Sequence, residues 1–481
     1  MTEGAVPGSP GAARPDPSSL LTLIIFVAFA LHELGLGGAP VELAGIVSLG
    51  LYLLLHLRRL GPLIWSLLAL IAGLLVALAL RDALDVALIW AAIDSASFLV
   101  FFLLAVGLLN LVAAQTRLVR RCGELLIRQA PGRRYLMLTA GAHAMGLFLS
   151  IGSVGLLGTM VYRPTPDNGD AETLRIAGIR ARRMATAILR GFSCIPMWSP
   201  TSVTIAILLT SFHEVSWFAY MPLGLGGAVV FIAVGWLADR MSYKRPALPS
   251  GEARKQADAD LAELGVCALR ILSVVACITV GGWAISTALD LRFFVGILLG
   301  MVPIGFSWLW LELRATRPAP RLPAMGRILR DGLRQRAANQ HGEVAIFACA
   351  GMIGVLLPPL LDTAALSTWL SDNGISSFAV LAGACAGVVA IAMLGVGPVT
   401  TVAVFARILP ELHTLEISPH LSVFALSLGW SIAITIAPAS TTLRILANAV
   451  KLPLLKLGLG WSWREMLVVY GLFLLSLLVL M

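Results

Sequence analysis

The sequence predicts an all-α polytopic membrane protein with about eleven transmembrane helices and two re-entrant hairpins arranged as an inverted repeat. Three observations lead to this prediction: the composition, the long apolar runs, and two matching proline-interrupted segments. Of 481 residues, 58% are hydrophobic and only 13% are charged, whereas a soluble domain carries about 25% charged residues. Such a chain cannot cover a water-facing surface. We therefore exclude a soluble domain, a disordered chain, a disulfide scaffold and a nucleic-acid binder.

A helix needs about 20 apolar residues to cross the hydrocarbon core of a bilayer. Two further apolar stretches, 135–161 and 378–409, differ from the rest because their centres are rich in glycine. Residues 1–19 are rich in Pro, Gly and Ala, and we expect a disordered tail there rather than a cleaved signal peptide. The predicted spans are 20–34, 42–57, 62–80, 86–114, 184–212, 218–239, 262–288, 293–313, 343–361, 421–450 and 463–480.

The distribution of basic residues predicts which connections are cytoplasmic, because cytoplasmic loops carry an excess of Lys and Arg. Segments 117–134, 163–190, 240–255 and 314–336 hold 24 of the 35 Lys and Arg residues. Stretch 135–161 has basic residues on both sides, which predicts a hairpin that enters and leaves on the cytoplasmic side. Stretch 378–409 has acidic flanks, which predicts the mirror case. The N-terminus is then inside and the C-terminus outside. The alternative is that each stretch crosses once.

Two segments match each other near half the chain length apart. WSPTSVTIAIL at 198–208 aligns with IAPASTTLRIL at 436–446, which pairs Pro200 with Pro438 at an offset of 238 residues. The expected hairpin tips, Gly155 and Gly397, are offset by 242 residues. This predicts an extra first helix (20–41), a first repeat (42–241), a cytoplasmic linker (242–261) and a second, inverted repeat (262–481).

Proline breaks helices because it lacks a backbone N–H and clashes with the preceding turn. In lipid, such breaks are tolerated where they line a cavity or bind something. Transporters use them to aim half-helix N-termini at anions and unwound carbonyls at cations. Two such breaks, each rich in Ser and Thr and each preceded by a glycine-rich hairpin, therefore indicate a binding centre. An ordinary proline kink is the alternative.

This pattern resembles the ion transporter superfamily, and most nearly the divalent anion/sodium symporter family. The family has eleven spans, two opposed re-entrant hairpins and two broken helices related by an inverted repeat. Its Ser-Asn-Thr motifs at the hairpin tips are replaced here by SIGSVG at 150–155 and GPVTT at 397–401. The resemblance implies an elevator-type mechanism, in which the hairpins and broken helices move against a scaffold that also forms a homodimer.

The sequence thus predicts a secondary active transporter in a bacterial-type inner membrane. It would move a small anion, an organic acid or inorganic oxyanion, with Na⁺ or H⁺ as coupling ion and no other cofactor or metal. A membrane-embedded enzyme or a channel of the cell envelope is the alternative. The candidate substrate ligands are Ser150, Ser153, Gly155, Trp198, Thr201, Ser202, Gly397, Thr400, Thr401, Ser440, Thr441 and Arg444. The candidate ion-coupling residues are Asp94, Gly152, Thr204, Gly395 and Thr442.

The sequence allows two interpretations for each of four side chains: Asp94, Arg444, His143 and Trp198. Asp94 is a proton or cation site, or a carboxylate that pairs near the outer interface. Arg444 clamps an anion or extends to the cytoplasmic surface. His143 titrates near neutral pH or packs as a hydrogen-bonded ring. Trp198 walls the substrate cavity or packs in the interior.

Overall fold

The computed structural model describes residues 17–162, 170–243, 251–316 and 321–481. Most of the predicted disordered tail lies outside these residues. The described residues form α-helices and short helical turns, without a β-strand. Nine of their helices are long and apolar enough to cross a membrane. The predicted class, an all-α polytopic membrane protein, is confirmed.

The described residues of the first half of the chain form ten α-helices. Several begin at side chains that accept a hydrogen bond from the first turn: Asp85 before α4, Asp170 before α8 and Ser216 before α10. The helices are α1 (Pro17–Glu33), α2 (Gly38–Leu55), α3 (Pro62–Leu80), α4 (Val86–Ala113), α5 (Arg117–Arg128), α6 (Pro131–Leu149), α7 (Ile151–Val161), α8 (Ala171–Ser193), α9 (Val203–Ser211) and α10 (Trp217–Ser242).

The second half repeats much of this order. Helix α11 begins at Glu252, so the second part of the expected linker at 242–261 is helical. The helices are α11 (Glu252–Leu289), α12 (Phe293–Thr316), α13 (Arg321–Asn339), α14 (His341–Leu356), α15 (Thr363–Asp372), α16 (Ser377–Met393), α17 (Pro398–Ile408), α18 (Pro419–Ile436), α19 (Thr441–Ala449) and α20 (Trp461–Leu480).

Helices α5, α13 and α15 were expected to be connections between spans. Helix α5 forms because its apolar residues recur at helical spacing and bury one face, which includes Val119, Cys122 and Leu126. The other face of α5 is basic, and Arg121 makes two hydrogen bonds of 2.6 Å to Glu263 of α11. Those hydrogen bonds raise the pKa of Arg121 above its ordinary value.

Both glycine-rich stretches fold back on themselves. Gly141 of α6 meets the side chain of Leu126, while Gly123, one turn earlier in α5, meets Met160 of α7. Both arms therefore lie along α5, and we call α6–α7 the first hairpin. In α16–α17, the second hairpin, Gly387 faces the Phe405 ring. The first turn is at Ser150, not at Gly155, which lies one helical turn into α7 and faces Ile445 of α19.

The hairpins and broken helices are packed crosswise. The second arm of the first hairpin, α7, packs against α19, and the second arm of the second hairpin, α17, packs against α9. Helices α7 and α17 have 11 residues each, and α9 and α19 have nine each. The two halves thus make equivalent contacts at their centre, whereas the repeat boundaries of 42–241 and 262–481 stay predictions.

Helices differ sharply in how much of their surface is covered. Helix α4 and the broken helix α18–α19 are almost entirely buried, whereas α2, α3 and α11 expose most of their apolar side chains. Because exposed Leu and Val side chains at that density need lipid or another helix as neighbour, α2, α3 and α11 form the periphery. The hairpins and the breaks lie at the centre.

Candidate functional site

The candidate site is built from four interruptions of helical backbone. Ser150 separates the arms of the first hairpin, and residues 394–397 separate those of the second. Residues 194–202 separate α8 from α9, and residues 437–440 separate α18 from α19. Ser150 (φ 48°) and Gly395 (φ 104°) both adopt the positive φ that a tight reversal needs.

Carbonyl groups at the two breaks are hydrogen-bonded within the protein. Tyr220 of α10 donates to the Met197 carbonyl at 2.8 Å, and the Trp217 indole donates to the Trp198 carbonyl at 2.9 Å. At the second break, Arg444 donates to the Pro438 carbonyl at 3.3 Å. Each of these three carbonyls therefore already accepts a hydrogen bond from a side chain.

The backbone N–H groups at the N-termini of the helices that follow the interruptions differ from these carbonyls. Within the described residues, no side chain caps α7, α9 or α17. By contrast, Ser440 caps α19 by accepting a hydrogen bond from the Leu443 amide at 3.1 Å. An uncapped N-terminus leaves backbone N–H groups without an intrahelical acceptor and carries a partial positive charge. Three such termini at the centre favour an anion.

Three buried hydroxyl groups strengthen this site. The Oγ1 atoms of Thr204, Thr400 and Thr401 have no hydrogen-bond partner in the described part of the chain. Thr204 belongs to the first turn of α9, and the other two belong to the first turn of α17, which packs against α9. A buried hydroxyl without a partner is costly, so a ligand that accepts from these groups would relieve that cost.

Thr201 connects the first break to the first hairpin. Its hydroxyl donates to the Leu147 carbonyl at 2.5 Å and lies 2.9 Å from the Ser199 hydroxyl. Ser153 is buried and donates to the Ser150 carbonyl.

The other candidate residues fall into two groups. Ser202, Ser440 and Thr442 are buried at the breaks, and Gly152 and Gly397 lie at the hairpin turns. Thr441 and Arg444 are exposed. The structure thus gathers most candidate substrate ligands at the interruptions, while Thr441 points away from the buried centre. The guanidinium of Arg444 holds a backbone carbonyl.

His143 is held by three neighbours, one of which is Cys194, with its Sγ 3.2 Å from the Nδ1 of His143. Its Nε2 accepts a hydrogen bond from the Trp198 indole at 3.2 Å, and its Nδ1 lies 3.0 Å from the Gly191 carbonyl. An Nε2 that accepts leaves the proton on Nδ1, which then donates to the carbonyl. His143 is therefore a neutral, hydrogen-bonded packing residue that positions Trp198 beside the first break.

Asp94 lies away from the interruptions. Its carboxylate is 3.2 Å from His32 Nε2 at the end of α1, and 46% of its side chain is exposed. Of its two interpretations, the geometry matches a carboxylate that pairs near one end of the membrane helices.

Arg190 and Glu465 were not among the candidates. Arg190 of α8 is 3% exposed, its Nη2 lies 3.0 Å from Glu465 Oε1 of α20, and its Nη1 donates to the Tyr135 hydroxyl. Arg190 belongs to the basic segment 163–190, which was predicted to mark the cytoplasmic side. Its position after the apolar run 184–189 is the signal that indicated burial.

Among the described residues, no group of three His, Cys, Asp or Glu side chains is placed to hold a metal ion.

Two solved structures are similar to the chain over nearly its full length. The YdaH transporter of Alcanivorax borkumensis is 15% identical with a TM-score of 0.48, covering 96% of this chain and 98% of that one. MtrF of Neisseria gonorrhoeae, from a class of antimetabolite efflux pumps, is 13% identical with a TM-score of 0.46, covering 96% and 95%. No family model and no curated protein matches the chain. At this similarity the two structures assign no function to it.

Proposed function

We propose that the chain is a secondary active transporter that binds a small anion, an organic acid or an inorganic oxyanion, at the four interruptions. The observation that carries the proposal is the imbalance between donors and acceptors there. In the part of the chain that the structure describes, the N-termini of α7, α9 and α17 lack a side-chain cap, and three buried Thr hydroxyls lack a partner. The break carbonyls, in contrast, are hydrogen-bonded by Tyr220, Trp217 and Arg444. Such a site complements an acceptor-rich ligand.

The proposal includes alternating access of the elevator type in a homodimer of the inner membrane, with a cytoplasmic N-terminus. The central hairpins and broken helices would move as one unit, and the peripheral α2, α3 and α11 would stay in the lipid. The crosswise packing supports a single moving unit, because each hairpin is attached to the broken helix of the other half.

The coupling ion is Na⁺ or H⁺. Because the carbonyls of Met197, Trp198 and Pro438 already accept hydrogen bonds, the Ser and Thr hydroxyls and the remaining carbonyls of the four interruptions are the better ligands for a bound Na⁺. An imposed Na⁺ gradient at fixed pH, and then a pH gradient without Na⁺, separates the two ions in proteoliposomes.

The test of the proposal begins with thermal stabilisation of the purified protein by a panel of organic acids and inorganic oxyanions, each with and without Na⁺. We expect at least one anion to raise the melting temperature, because a ligand that binds only the folded state stabilises it. That anion should then accumulate in proteoliposomes against its own gradient. Flux without accumulation would indicate a channel. The absence of any stabilising anion would contradict the proposed site.

A further inference from the structure

A cavity of about 450 Å³ lies apart from the four interruptions. Residues of the α9–α10 connection and the start of α10 line one side of it, and the end of α11 with the start of α12 lines the other. Its volume is that of a small-molecule site. It lies between the α9–α10 pair and the α11–α12 pair.

Aromatic rings form much of the lining. Trp217, Phe218 and Phe293 contact one another, with ring centroids 5.0, 5.5 and 5.6 Å apart. Trp283 of α11 adds a fourth ring. The faces of such rings attract cations, and substituted ammonium groups are the ligands that clusters of aromatic rings recognise.

The charges around the cavity have the sign that a cation needs. Arg292 is neutralised, because its Nη2 lies 2.9 and 2.7 Å from the two carboxylate oxygens of Glu33. Asp290 also lines the cavity, and its carboxylate has no hydrogen-bond or ion-pair partner among the residues that the structure describes. Its backbone has a φ of 52° at the end of α11. His213 is the remaining titratable group of the lining.

One side chain belongs to both sites. The ring of Trp217 lines this cavity, and its Nε1 donates to the Trp198 carbonyl at the first break. A ligand that moves the indole would therefore change the hydrogen bond that holds the break. An occupant of the cavity is in a position to alter transport without entering the anion site.

We propose that this cavity binds a substituted ammonium group, with Asp290 as counter-ion and the rings of Trp217, Phe218, Trp283 and Phe293 as its walls. The group belongs either to the headgroup of a choline lipid or to a free amphipathic ammonium compound. The two sources share the chemistry that the cavity recognises, and the lipid composition of the assay separates them.

The test titrates benzyltrimethylammonium into the full-length protein in phosphatidylglycerol nanodiscs and measures the heat of binding. We expect saturable binding, and Asp290→Asn should weaken it by about tenfold, because the counter-ion is lost. Asp290→Glu should bind within a few-fold of the wild type. Asp372→Asn removes another exposed carboxylate far from the cavity and should bind like the wild type. Equal binding by the wild type and by Asp290→Asn would overturn the proposal, as would no binding at all.

Phe218→Leu is a second variant that keeps the charge and removes one π face; it should weaken binding while the melting temperature holds. Repeating the titration in phosphatidylcholine nanodiscs identifies the source. A lipid headgroup would compete and reduce the apparent affinity of the wild type. A free ammonium ligand would bind equally well in both lipids. Binding that is insensitive to both Asp290→Asn and Phe218→Leu means that the probe dissolves in the lipid, which contradicts the proposal.

Discussion

The hydroxyl groups of Thr204, Thr400 and Thr401 have no partner among the described residues, unlike those of buried Thr residues further along a helix, such as Thr139 and Thr435. Within a helix, a Thr hydroxyl commonly donates to the carbonyl four residues earlier, as Thr435 does to Ser431 at 2.9 Å. The three orphaned groups lie in the first turns of α9 and α17, where the chain four residues earlier is no longer helical. Their lack of a partner follows from where the helices begin.

Replacing Thr400 and Thr401 with Val should reduce transport by about tenfold or more, because a hydrogen bond to a charged ligand is lost. The melting temperature should stay unchanged or rise, because Val has the same shape and removes an unsatisfied polar group. Thr435→Val is the matched control: it removes a hydroxyl that has a partner, so it should lower stability by about 1 kcal/mol and leave transport intact. Proteoliposome uptake and thermal unfolding measure the two effects. Normal transport in the double variant would remove these hydroxyls from the site.

The ion pair between Arg190 and Glu465 allows a prediction about the stability of the folded protein. Arg190→Met should destabilise the protein by about 3 kcal/mol, since it leaves a mostly buried carboxylate without its partner. The double variant Arg190→Met/Glu465→Met should recover much of that loss, because both charges are then absent. Thermal unfolding in detergent measures both. A double variant that is no more stable than the single one would contradict this account of the pair.

At the scale of elements, α10 is the helix that stabilises the first break. It approaches so closely that a Cβ on Gly224 would lie 2.2 Å from the Met197 carbonyl oxygen. Two of its side chains, Trp217 and Tyr220, donate to the Trp198 and Met197 carbonyls, which lie between α8 and α9. The break is therefore a fixed structure supported from outside, rather than a flexible hinge.

Gly224→Ala should push α10 away from the break, reduce transport strongly and destabilise the protein by about 1–3 kcal/mol. Gly226→Ala is the control in the same helix, because nothing lies within 4 Å of its added Cβ. That control should be neutral or slightly stabilising, since Ala favours a helix over Gly. Uptake and thermal unfolding of both variants provide the comparison. Similar behaviour of the two would show that the close approach of α10 is unimportant.

At the scale of the whole molecule, the arrangement in the membrane is tested by labelling. Single cysteines at Arg128 and Arg330 should react with a membrane-impermeant maleimide only from the cytoplasmic side, because cytoplasmic loops carry the basic residues. A cysteine at Asp372 should react only from outside. Labelling of the Arg128→Cys variant from outside would exclude a first hairpin that opens to the cytoplasm.

The sequence predicted the parts of this fold that depend on apolar length and on proline. Most long helices start and end within a few residues of the expected bounds, and both breaks lie at Pro200 and Pro438. The amphipathic helices α5 and α13 were not predicted, because basic residues dominate their composition and the apolar residues of the buried face are few.

Within the candidate site, the sequence predicted which types of residue are present but not the hydrogen bonds that they make. The Ser and Thr residues at the breaks were apparent from the repeat. The engaged carbonyls were not, because Tyr220 and Trp217 come from a later helix whose approach depends on Gly224. The turn of the first hairpin was misplaced from Ser150 to Gly155, since glycine is the usual residue at positive φ and Ser150 adopts it here instead.

The crosswise packing of α7 with α19 also governs how the protein is made. Helix α19 follows α7 by roughly 290 residues, which a ribosome takes about 15 to 60 seconds to synthesise. Throughout that interval the first hairpin lacks the helix that packs against α7 in the complete chain. Neither half can complete its own centre, so residues 1–243 and 251–481 produced as two separate chains should accumulate and transport only when they are synthesised together. The site can therefore assemble only after α19 has been synthesised.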